Sequence, residues 1–85
     1  MRETQVQIQL VQGLSARSAA NFVKTASSFS SDVKVGKTGQ FVDAKSILGV
    51  MSMAFAKGEE VSLRAEGSDE DAAIAALTQL LQSNE

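Results

Sequence analysis

The side chains able to do chemistry in this 85-residue chain are hydroxyls, lysines and carboxylates, because it has no His and no Cys. Without imidazole there is no general base poised near neutral pH, no histidine metal ligand and no phosphohistidine. Without thiols there is no cysteine nucleophile, thiolate metal site or disulfide. Gly36-Lys37-Thr38 has the ending of a phosphate-binding loop. That loop needs a glycine five residues earlier, where Ser31 stands, and a helix afterwards, where Thr38-Gly39 makes a turn. Asp69-Glu70-Asp71 are consecutive, so on a helix they point in different directions; they suit the positive end of a helix dipole better than a metal. No lysine lies in an apolar setting that would mark a perturbed base. No catalytic residue, metal site or cofactor is expected.

The segment from Ser46 to Met53 is more informative. Ser46 occupies the position of a helix N-cap before Ile47-Leu48-Gly49-Val50-Met51-Ser52-Met53, a run without strand alternation. A helix of about two turns there is apolar on nearly every side, and a sheet covers only one side. Some of Ile47, Leu48, Val50, Met51 and Met53 are therefore expected to face water as a docking patch, with methionine supplying an adaptable thioether. Ser46 itself has two readings. It is a structural cap, or it is a phosphoacceptor at a helix start, with Lys45 beside it and Arg17 elsewhere as charge partners. The residues alone favour the cap, since the chain is rich in Ser.

These side chains need a frame. Val6, Ile8 and Leu10 alternate with Gln5, Gln7 and Gln9, which predicts a half-buried strand over residues 4–11. Gly13-Leu14-Ser15 breaks it, and Ala16, Ala19, Ala20, Val23 and Ala26 then fall at helical spacing, with Phe22 and Phe29 widening the stripe. A Ser-rich stretch, 27–32, ends that helix. Val33 and Val35 mark a second strand and Val42 and Ala44 a third, joined by a tight turn at Thr38-Gly39. Val61, Leu63 and Ala65 make a fourth, and Ser68 with Asp71 suggests a capping box for a last helix buried through Ala73, Ile74, Leu77, Leu80 and Leu81. The order is strand-helix-strand-strand-helix-strand-helix. Each strand alternates, so one sheet face is wet and helices cover the other. The fold class expected is α+β, a two-layer open-faced β-sandwich with a four-stranded antiparallel sheet covered on one face by three helices, in a single domain spanning 1–85.

The net charge of −2 is unevenly spread: residues 4–58 carry six basic side chains against two acidic, and residues 59–85 one against seven. That asymmetry suits an anionic group or partner. It is too weak for nucleic acid, and all four aromatics are Phe. No apolar run approaches the roughly 20 residues that cross a bilayer, and MRETQVQIQL is not a signal peptide. A cytoplasmic location is expected, with no membrane partner.

Two runs carry a resemblance. Gly13-Leu14-Ser15-Ala16-Arg17-Ser18-Ala19 resembles the active-site segment of HPr, the phosphocarrier of the bacterial sugar phosphotransferase system. Ala44-Lys45-Ser46-Ile47-Leu48-Gly49-Val50-Met51-Ser52 is similar to the regulatory-serine segment of that family, and length and element order agree throughout. Ser15 stands at the phosphocarrier position, where the family has His, and Ser18 stands where it has Pro. A serine holds phosphate as an ester, a poor donor, and no imidazole activates Ser15, which reads best as the N-cap of the first helix. The resemblance is to a regulatory, histidine-lacking branch. It implies that HPr kinase/phosphorylase phosphorylates Ser46 and that the phosphoprotein binds catabolite control protein A, a LacI-type regulator, as its corepressor. It also implies that Arg17, Ile47, Leu48 and Met51 line the contact surface. An interaction module that works without phosphorylation is the alternative; a phosphotransferase using Ser15 ranks below it. Whether the N-terminal strand pairs within the chain or, through Gly13, with a neighbour stays open.

Overall fold

The structure is a computed structural model and describes residues 1–10 and 16–83, so the break at Gly13-Leu14 and the capping role given to Ser15 lie outside the described residues. Seven elements follow in the expected order: β1 (Arg2–Gln7), α1 (Ala16–Ser27), β2 (Asp32–Lys37), β3 (Gln40–Asp43), α2 (Ile47–Ser52), β4 (Glu60–Glu66) and α3 (Glu70–Leu81). The strands form one antiparallel sheet in the order β1-β4-β2-β3. β1, α1 and β2 leave a gap one strand wide, and β4 fills it, with Val6 opposite Val61 and Val35 opposite Leu63.

Alternation decides which face is covered. Val6, Val33, Val35, Val61, Leu63 and Ala65 are buried beneath Ala19, Phe22 and Ala26 of α1 and Ala73, Ile74, Leu77 and Leu81 of α3. The other face stays open, and a row of Glu3, Arg64, Lys34 and Asp43 crosses all four strands there. The Arg64 guanidinium lies 4.0 Å from the centre of the Phe41 ring, and its Nε is 3.3 Å from Glu3 Oε2, an ion pair without hydrogen-bond alignment. Phe41 in turn lies against Gly36, where an added Cβ would sit 2.8 Å from the ring and closer still to the Gln40 carbonyl. At the β2–β3 turn, Thr38 and Gly39 have φ of 52° and 82°, the two positive values of the hairpin turn that fits strand twist. Lys37 is therefore a hairpin residue: its Nζ donates to both Glu59 carboxylate oxygens at 2.9 and 3.0 Å.

Several boundaries differ from the sequence reading. β1 runs over Arg2–Gln7 rather than 4–11: Ile8 still bonds the approach to β4, donating to Glu59 O at 2.9 Å and accepting from Gly58 N at 2.8 Å, and the chain then departs, Gln9 N donating to Leu81 O at the end of α3 (2.8 Å). Ile8 and Leu10 keep the inward phase and stay buried. Ala44 lies just past β3, although its N–H still bonds Val33 O at 2.9 Å. Ala20 is exposed, because the line Ala19-Phe22-Ala26 fills the buried stripe of α1 and Ala20 sits about 100° round the helix from Ala19. The capping box of Ser68 and Asp71 does not form; Asp69 is the N-cap residue of α3 and makes no capping bond with its side chain.

One backbone feature gives a stability prediction. Ala54, just past the C-cap Met53 of α2, has φ 51°. That left-handed position usually belongs to glycine, because a Cβ there crowds the carbonyl that follows. Ala54→Gly is expected to stabilise the protein by about 1 kcal/mol, read as a higher urea midpoint at unchanged m.

Candidate functional site

The site is built around α2. The chain leaves β3 at Asp43, whose Oδ1 accepts a hydrogen bond from Lys45 N (2.9 Å) while its carbonyl accepts one from Ser46 N (3.0 Å). These two bonds turn the backbone and set Ser46 at φ −109°, ψ 113°, the extended geometry of an N-cap. Ser46 Oγ accepts from Gly49 N at 3.2 Å, and Ser46 O accepts from Val50 N at 2.9 Å. The cap expected from sequence is present. The serine is half-buried, and among the described residues its hydroxyl proton has no acceptor.

Helical geometry then sorts the apolar side chains. Val50 is fully buried and anchors α2. At about 100° per residue, Ile47, Met51 and Leu48 fall roughly 60°, 100° and 160° round from it on one flank. Their exposures rise in that sequence: 36%, 45% and 79%. Met53 is partly buried against the core. Three of the five candidate side chains therefore form one outward apolar stripe beginning beside Ser46.

The charge partners fare differently. Arg17 is exposed in the first turn of α1, the helix that packs against α2, and among the described residues it enters no ion pair. Lys45 is redirected: its Nζ donates to Phe29 O at 2.9 Å in a part-buried contact. In this arrangement its charge fastens the approach to α2 onto the loop after α1 rather than standing free beside Ser46.

That loop is itself held by a residue whose role the sequence reading missed. The Asp69 carboxylate accepts from Ser30 N (2.9 Å), Ser31 N (2.9 Å), Ser30 Oγ (3.3 Å) and Ser31 Oγ. The Ser31 hydroxyl, then the Ser30 N–H, and lesser bonds from the same pair hold its carboxyl down at about 2, against a smaller opposing effect of burial. The only local hint was an acidic residue at a helix start facing a Ser-Ser pair far away in sequence. On the other side of α2, Glu59 accepts from Lys37 and from Ala56 N (2.7 Å), which closes the following loop. The Lys37 bond foremost, then the Ala56 N–H, lower the Glu59 carboxyl below its usual value.

A shallow depression between α1 and α3, lined by Thr25, Ala76, Gln79, Leu80 and Ser83, contains no ionisable side chain. Among the described residues no three metal-ligating side chains gather, and no helix is long and apolar enough to cross a membrane.

The described residues thus make an open-faced α+β domain whose short helix is capped by Ser46 and presents an outward apolar stripe. Over residues 2–83 the chain matches the family described as PTS HPr component phosphorylation site. It is 46% identical over 82 residues to the HPr-like protein Crh of Bacillus subtilis, covering 96% of each chain. It is 44% identical over 82 residues to the HPr-like protein Crh of Halalkalibacterium halodurans, covering 96% of this chain and 98% of that one. The crystal structure of the phosphocarrier protein HPr from Bacillus anthracis matches it with a TM-score of 0.93 at 42% identity, covering 95% of this chain and 96% of that one. The chain belongs to the HPr family.

Proposed function

We propose that this chain is a phosphorylation-switched regulator of carbon catabolite repression. In this reading HPr kinase/phosphorylase is the enzyme and Ser46 the acceptor: Ser46 Oγ attacks the γ-phosphorus of ATP, its proton is released and ADP departs. The phosphoprotein then docks on catabolite control protein A as a corepressor, in the cytoplasm. Phosphate adds about −1.5 to −2 charge and three acceptor oxygens, which a partner's arginines and lysines grip. Ile47, Leu48 and Met51 supply the apolar contact beside it, and Arg17 on the neighbouring helix contributes a cation to the same surface. The observation that carries this reading is the position of the Ser46 hydroxyl at the head of an exposed apolar stripe. The absence of any histidine supports a regulatory role over a relay of phosphohistidine, and the kinship with proteins called Crh supports the same role. The chain acts as a phosphate acceptor and a ligand, with no catalytic step of its own.

Mass spectrometry after incubation with HPr kinase and ATP tests this directly. One added phosphate on the peptide containing Ser46 is expected; no addition, or addition elsewhere, overturns the assignment. A second reading is favoured by the exposure of the stripe itself, an apolar contact surface that needs no phosphate. It makes the same face a phosphorylation-independent docking site, and equal capture of a partner by unmodified and phosphorylated protein decides for it.

A further inference from the structure

The same stripe contains a second reactive atom. The chain lacks Cys, Trp, Tyr and His, so the thioethers of its three methionines are its readily oxidised side chains. The three are not equivalent. Met53 is partly buried against the core. Met1 is 71% exposed but stands at the start of β1, where its ammonium pairs with Glu70 at 3.5 Å. Met51 is 45% exposed and lies in the stripe itself, one turn from Ile47 and three residues from Leu48.

We propose that Met51 is an oxidation site that closes the α2 surface to its partner whatever the state of Ser46. A sulfur lone pair attacks one oxygen of hydrogen peroxide, an S–O bond forms and the O–O bond breaks, and the departing hydroxide takes the proton from the oxygen now on sulfur and leaves as water, with the sulfoxide left behind. Sulfur loses two electrons and the peroxide gains them. The product replaces a flexible apolar contact with a polar sulfoxide between Ile47 and Leu48. Docking must then desolvate that oxygen, which costs affinity unless the partner offers a donor. The fold is spared, because Val50 and not Met51 anchors α2 in the core. The consequence for docking rests on the function proposed above; the reactivity of Met51 and the change in surface polarity do not.

The test treats the folded protein with hydrogen peroxide and follows each methionine by peptide mass. Met51 is expected to oxidise well ahead of Met53, and oxidation of Met53 at an equal or faster rate overturns the assignment. The oxidised protein should elute earlier from a hydrophobic-interaction column, by a larger shift in wild type than in Met51→Leu, where only Met1 and Met53 can react. Equal shifts in the two proteins overturn it as well. The third arm compares the affinity of phosphorylated protein for catabolite control protein A before and after peroxide, within each of the two sequences. About a tenfold loss in wild type and little change in Met51→Leu is expected, with recovery after methionine sulfoxide reductase; equal losses in both overturn the gating role. If the unoxidised phosphoprotein does not bind the regulator at all, the proposed function and the gating role fail together, while the mapping and elution results still decide whether Met51 is the oxidation site.

Discussion

Asp69→Ala is expected to lower the urea midpoint sharply at neutral pH with m unchanged, and to lower the thermal midpoint by at least about 4 °C. The cause lies in the partners left behind. Ser31 is 1% exposed, and its hydroxyl and N–H both donate to Asp69, as do the N–H and hydroxyl of Ser30. Removing the acceptor strands the buried Ser31 donors, and one such orphaned group costs about 1–3 kcal/mol. A domain of this size has a total stability of about 4–13 kcal/mol, so the loss is a large fraction. Asp69→Asn separates charge from shape, since it keeps one acceptor oxygen but turns an amide N–H₂ toward serine donors. The pH dependence has a definite sign. The Asp69 carboxyl titrates at about 2 in the fold against 3.8 ordinarily. Its contribution is therefore complete above about pH 4 and is lost as pH falls through about 2. The stability gap between wild type and Asp69→Asn should narrow over that interval. A gap independent of pH between 4 and 2 would show that the bonds do not depend on the ionised carboxylate.

Asp69 also shows where sequence reading stopped. From neighbouring residues alone, a carboxylate at a helix start answers to the helix dipole. Its actual partners lie 38 and 39 residues away, on a loop whose position depends on how α1, β2 and α3 pack. The hydrogen bond of Lys45 was illegible for the same reason: beside Ser46 in sequence, its Nζ donates to Phe29 O, 16 residues back. The end of β1 was illegible because alternation continues to Leu10, past Gln9, where the backbone leaves β4 for the end of α3. What was legible depended on short periods. Two-residue alternation gave the strands and their inward faces, and Thr38-Gly39 gave the hairpin. The Ser46 cap and the surplus of apolar side chains on a two-turn helix were local as well, and so the outward stripe could be expected before any coordinates.

Ser46→Ala and Leu48→Ala should separate the two parts of the proposed switch. Ser46→Ala removes the acceptor oxygen, so kinase-dependent incorporation of phosphate should fall to background. The fold loses only the bond that Ser46 Oγ accepts from Gly49 N, worth about 1 kcal/mol for an N-cap. Phosphorylation persisting at full stoichiometry in this variant would place the acceptor elsewhere in the chain. Leu48→Ala acts on the other half. At 79% exposure the side chain contributes little to stability, so the urea midpoint should stay within about 0.5 kcal/mol of wild type. Phosphate should still be incorporated, because Ser46 keeps its cap geometry and its hydroxyl. Docking of the phosphoprotein should weaken by about 2 kcal/mol, about thirtyfold in Kd, since a leucine buried in the complex loses most of its apolar area. Calorimetry with the regulator reads that loss. If both variants fold and Leu48→Ala binds as tightly as wild type, the apolar stripe is not the contact surface, and the phosphate alone would have to account for recognition.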